Sequence, residues 1–157
     1  VSLGALTATS GRVVVESTAG PLTTGNVTAR AMSLDSGAGL SSGALSATLG
    51  DVQLIARNGS VAYTSATASG RVNMAAQRTA GSTAVTTISG GAITARGTTA
   101  MPGAPYTIDL STAAGGISTG ALSARVKSVL ALPVFMNSGR SRLVHRALTP
   151  SWRKSWR

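Results

Sequence analysis

The chain has no cysteine among its 157 residues. That excludes a disulfide framework, thiolate metal sites and cysteine nucleophiles. Aromatic residues make up 3% and charged residues 11%, sparse for a compact enzyme whose cleft needs walls and titratable groups. The single histidine, His145, has no second histidine or nearby acid with which to hold a metal ion or form a Ser-His dyad. No apolar run reaches the length of a membrane span, and no signal peptide is legible. The first residue is Val1 rather than Met, so an upstream segment is expected. No Walker or G-x-G-x-x-G phrase opens a helix, so phosphate cradling has no support.

What the chain does have is glycine, 19 residues of it, set into a repeat. The phrase G-x-[LVI]-[ST]-A occurs at Gly4–Ala8, Gly25–Ala29, Gly43–Ala47, Gly91–Ala95 and Gly120–Ala124. An altered copy stands at Thr64–Ala68, with Ala66 in the aliphatic slot. The starts are 21, 18, 21, 27 and 29 residues apart. Self-similarity near this period marks one supersecondary unit stacked repeatedly.

In a strand, the aliphatic residue and the Ala of each phrase share one face, while the Thr or Ser points the other way. A second alternating pair follows at Val13/Val15, Met32/Leu34, Val52/Leu54, Val72/Met74 and Ile108/Leu110. A third apolar point is read at Leu22, Leu40, Val61, Val85 and Ile117, with Gly and Ser/Thr clusters between segments as turns. Three short strands in about 20 residues predict one coil of an all-β, right-handed parallel β-helix of about six rungs, roughly 30 Å long. The repeated Ala suits a narrow interior corner, where a larger side chain would overpack. Glycines spread through the repeats and the absence of a 3.6 period argue against helices.

The Gly-aliphatic-hydroxyl-Ala strands and V-x-L strands of residues 1–125 resemble the repeats of filamentous haemagglutinin-like adhesins, exoproteins of bacterial two-partner secretion, or an autotransporter passenger. The amino-terminal secretion domain of that family, with its asparagine-proline motifs, has no counterpart here. The resemblance implies a structural and adhesive repeat segment, secreted to the bacterial cell surface. It also implies host glycans, matrix proteins or neighbouring cells as partners, and an outer-membrane secretion partner. No cofactor, metal, catalysis, membrane span or specific nucleic acid is expected.

Some β-helices are carbohydrate-active enzymes, which makes the carboxylates the first candidates for chemistry. Glu16 and Asp35 follow equivalent strands and, with coils in register, stand about 5 Å apart, a spacing compatible with a retaining glycosidase pair. The alternative is two solvated side chains without the walls that pKa tuning needs. Arg30, Arg96 and Arg125 each follow the Ala of a phrase. Arg96 and Arg125, on neighbouring coils, read either as a small cationic stripe toward anionic glycans or as corner charges that keep an edge soluble. Residues 97–105 form an insertion with two prolines and Met101, a binding loop or an inert protrusion.

The net charge of +10 is uneven: residues 1–124 carry six Arg and four acids, residues 125–157 eight Lys/Arg and no acid. Phe135, His145, Trp152 and Trp156 lie in that last stretch. The expected division is a repeat domain at 1–130 followed by an apolar cap segment and basic tail at 131–157. The apolar run Val129–Met136 would shield the open end of the stack. Beyond it, Trp152-Arg153-Lys154-Ser155-Trp156-Arg157 reads as a module for lipid headgroups or nucleic acid, or as an out-of-frame string.

Overall fold

The computed structural model describes residues 1–97 and 108–124 in full and residues 128–131 as backbone. Among the described residues there is no helix, and fourteen strands share one sheet. They are β1 (Ser2–Leu3), β2 (Leu6–Ser17), β3 (Leu22–Thr24), β4 (Val27–Ser36), β5 (Leu40–Ala47), β6 (Val52–Ala56) and β7 (Val61–Ala68). There follow β8 (Val72–Ala76), β9 (Ile88–Gly90), β10 (Ile93–Ala95), β11 (Ile108–Thr112), β12 (Ile117–Ser118), β13 (Leu122–Ala124) and β14 (Ser128–Ala131). Every strand pairing is parallel. The sheet curls until it is nearly closed, a barrel-like shape compatible with a solenoid.

Parallel pairing requires a crossover between partners, and here the crossover is the rest of one repeat. Three ladders result. In the first, Leu6, Val27, Leu45, Ala66, Ile93 and Leu122 lie in register, with Ala8, Ala29, Ala47, Ala68, Ala95 and Ala124 two residues on. The altered phrase at Thr64 thus takes its place in the column. In the second, Val13, Met32, Val52, Val72 and Ile108 stack, as do Val15, Leu34, Leu54, Met74 and Leu110. The third stacks Leu22, Leu40, Val61, Ile88 and Ile117. Inner members of all three columns are buried and form one continuous core. Each fully buried aliphatic side chain contributes about 1.5–3 kcal/mol of transfer free energy.

Four findings differ from the sequence expectations. Val85 is 70% exposed, and Ile88 fills the third ladder instead. The coil lengthens over Gln77–Thr87, and that extra length carries Val85 off the core. Leu122 is 38% exposed, because the first ladder ends at its strand among the described residues. Strands run through several expected turns: β4 carries both Val27 and Leu34, and β5 both Leu40 and Leu45. Finally, Ser128–Ala131 pairs with β11 from Ile108 to Ser111, extending the second ladder; the rest of the 131–157 segment lies outside the described residues.

The phrase glycines serve close approach rather than turning. A Cβ at Gly25 would lie 3.0 Å from the Ala5 nitrogen, at Gly43 2.9 Å from the Asn26 nitrogen, and at Gly120 2.9 Å from the Ala92 nitrogen. Each glycine packs on the backbone of the preceding coil. A hydroxyl at the end of the second strand closes the corner in three coils. Ser17, Ser36 and Thr112 each reach the carbonyl three residues on, at Gly20 (3.0 Å), Gly39 (2.9 Å) and Gly115 (3.0 Å). These hydroxyls are buried, so the bonds meet a need that water does not.

One inward column is polar at one end and aromatic at the other. Thr24 and Ser42 share a buried 2.8 Å hydrogen bond, Tyr63 follows Ser42 in register, and Gly90 follows Tyr63. A Cβ at Gly90 would meet the Tyr63 ring at 2.6 Å, so the largest residue of the column requires the smallest as its neighbour. The Tyr63 hydroxyl donates to the Gly91 carbonyl at 3.3 Å.

Two predictions follow from this packing. Leu45→Asp places an unpaired carboxylate at a site 2% exposed and is expected to cost several kcal/mol, whereas Thr28→Val on the exposed side changes little. Denaturant titration compares them, and equal losses would contradict the assigned faces. Burial pushes the Tyr63 pKa from its model-compound value of 10.0 up to about 12. Its folded pKa exceeds its unfolded one, so its contribution is intact below pH 10 and declines as pH rises toward 12. Thermal melts should show that alkaline loss in the wild type and a weaker one in Tyr63→Phe.

Candidate ligand-binding surface

The first and third ladders each present a column of outward residues. Thr7, Thr28, Ser46, Thr67, Thr94 and Ser123 form one outward column, at about 4.8 Å per step. Ser2, Thr23, Ser41, Ala62, Ser89 and Ser118 form a second. Together they reveal a longer repeat than the five-residue phrase, with an aliphatic residue three positions before the first residue of the phrase: Val1, Leu22, Leu40, Val61, Ile88 and Ile117. Counting back from Gly91 in this way finds Ile88, the signal that the reading of Val85 missed. The six eight-residue segments hold no charged residue. Both columns are therefore neutral, rich in hydroxyls and methyls, and regular.

Among the described residues, charge is confined to the second ladder and the segments between ladders. Glu16 and Asp35 are in register on adjacent strands, as their sequence positions imply. Arg57, one coil further on, donates from Nε to Asp35 Oδ1 at 2.9 Å and from Nη2 to Oδ2, a two-pronged ion pair. The Asp35 hydrogen bond, then its charge, with a smaller contribution from Glu16, hold the guanidinium above its usual pKa. Asp35 is therefore engaged, and Glu16 stands exposed beside it. Asp51 accepts from the Arg71 backbone N–H at 2.7 Å and pairs with its guanidinium at 3.4 Å. Ser33 donates to Gln53 Oε1 at 3.2 Å, and Asn73 and Asp109 continue that polar column. Among the described residues no three His, Asp or Glu side chains come together as a metal-binding group.

The candidate contact residues are only partly brought together. Arg30 and Arg96 both follow a ladder Ala and both are exposed. Three steps of the first ladder separate them, about 14 Å, with Thr48 and Ser69 at the intervening positions. Arg125 and Met101 lie outside the described residues. Arg96 borders a shallow depression of about 390 Å³ that it lines with Thr94, Ala95, Ser123 and Ala124. A guanidinium beside two hydroxyls suits a hydrogen-bonding anionic group. Comparison with known proteins finds no matching family model, no matching curated protein and no matching solved structure.

Proposed function

We propose that residues 1–130 form a right-handed parallel β-helix of about six coils that serves as a structural and adhesive repeat segment of a secreted bacterial surface protein. The observation that carries this reading is the uninterrupted, uncharged hydroxyl column, held in register from Thr7 to Ser123. A stack of this kind is stiff, and it offers many equivalent weak contacts along one side, the arrangement from which multivalent attachment draws its strength. Right-handedness rests on the general preference of parallel crossovers. The resemblance to haemagglutinin-like repeats supplies the surface location, the outer-membrane secretion partner, and host or neighbouring-cell glycans and matrix proteins as binding partners.

A carbohydrate-active enzyme is the competing reading, and the ion pair between Arg57 and Asp35 weighs against it. Both Asp35 oxygens are taken up by the one guanidinium, so that carboxylate is not open to a substrate. Arg96, with Thr94 and Ser123 beside it, is the contact we assign to sulfated or carboxylated glycans.

Binding of the folded chain to immobilised sulfated glycans and to cells tests this reading. The expected result is weak, salt-sensitive retention, reduced severalfold by Arg96→Ala and lost on unfolding. Depolymerisation of a polysaccharide at a rate that falls in Glu16→Gln would replace adhesion with catalysis.

A further inference from the structure

We propose that the Arg78–Thr79 peptide bond is a processing site for an endopeptidase of the trypsin class, and that the cut chain stays together as one stack. β8 ends at Ala76 and β9 begins at Ile88, so eleven residues separate them. No other connection lying wholly within the described residues is longer than four.

Both ends of this bulge are fastened. Gln77 donates its backbone N–H to the Ala56 carbonyl at 2.7 Å, and Thr86 donates to the Ala114 carbonyl at 2.8 Å. Thr86 is fully buried, and the Thr87 N–H donates to Ser60 Oγ at 2.9 Å. Between these anchors residues 78–81 are all exposed. The Ser82 N–H closes a turn on the Thr79 carbonyl at 3.0 Å, with Gly81 at φ 81°. The Thr79 N–H, on the bond to be cut, reaches only Asn58 Oδ1, at 3.4 Å. Exposed loop tips of small and polar residues, held by few backbone bonds, are where endopeptidases gain access to a chain.

The sequence puts a cleavable bond there. A trypsin-class pocket takes the cation of an Arg or Lys side chain against a carboxylate. Residues 1–124 hold six Arg and no Lys. Arg12 and Arg30 lie inside β2 and β4. Arg57 and Arg71 are engaged by Asp35 and Asp51. Gly97, which follows Arg96, donates its N–H to the Gly70 carbonyl at 3.1 Å, and that ties the bond down. Arg78 is exposed and enters neither ion pair.

The two sides of the cut are held by more than the bond it breaks. They pair through all three ladders: Val61 with Ile88, Ala66 with Ile93, and Val72 with Ile108. Those six side chains are at most 1% exposed. Hydrolysis adds one water across the bond, its hydroxyl to the Arg78 carbonyl carbon and its hydrogen to the Thr79 nitrogen. A carboxylate and an ammonium group result, with no oxidation or reduction. The product is a two-chain stack of residues 1–78 and 79–157.

Brief digestion of the folded full chain with dilute trypsin tests the proposal. Mass spectrometry follows fragment 1–78 and the new amino terminus at Thr79, readouts that cuts beyond Ala124 do not alter. The expected first cut within residues 1–124 is at Arg78–Thr79. Arg78→Gln should slow it about a hundredfold or more, because the carboxylate of the protease pocket then lacks its cation. Arg78→Lys, which keeps the cation, should still be cut there. Both variants should melt at the wild-type temperature, since the side chain is exposed. The two fragments should co-elute as one species with the β-sheet circular dichroism of the intact chain, and separate only in denaturant. A first cut elsewhere among residues 1–124, an Arg78→Gln chain cut there as fast as the wild type, or fragments that part under native conditions would overturn the proposal.

Discussion

Backbone hydrogen bonding between parallel strands fixes their spacing at about 4.8 Å, and almost everything else in this protein is a consequence of that spacing. Residues at equivalent positions of successive coils are brought nearly into contact, whatever the length of chain between them. Coils of 18 to 29 residues therefore share one register, and extra residues bulge out rather than shift it, as residues 78–85 do between Gln77 and Thr86, which both bond to adjacent coils. A residue is selected by its column as well as by its neighbours in sequence. That is why Tyr63 is followed by Gly90, and why a buried Thr24 hydroxyl is met by Ser42 18 residues later.

The same constraint explains the composition. A core one column thick on each wall has room for Leu, Val, Ile, Met and Ala, and for little aromatic mass. Glycine is needed where one coil's backbone touches the next, and only Gly81, Gly97 and Gly115 among the described residues adopt positive φ. Hydroxyl residues serve twice. Inside, they close corners at Ser17, Ser36 and Thr112; outside, they form the columns proposed to meet a ligand.

Periodicity made the first and second ladders legible in the sequence, because two inward residues at fixed spacing recur in each coil. The third ladder was less so: it contributes a single large aliphatic residue beside small ones, and Val85 and Ile88 both satisfy that pattern until the distance to Gly91 is counted. Contacts between coils were hidden for a different reason. Arg57 reaches Asp35 over 22 residues, and neither lies in a repeated phrase. The register of Glu16 with Asp35 was readable, whereas the cation that engages Asp35 was not. The three-step separation of Arg30 and Arg96 was also readable, since the phrases they follow are three coils apart.

Distances between spin labels provide the most direct check on a single axial register. Labels placed at Thr7 together with Ser46, Thr67, Thr94 or Ser123 lie on one outward column. The account predicts that their separations rise by about 4.8 Å for each ladder step, reaching about 24 Å at Ser123, despite the unequal numbers of residues between them. Separations that level off, or that track the number of intervening residues, would contradict it.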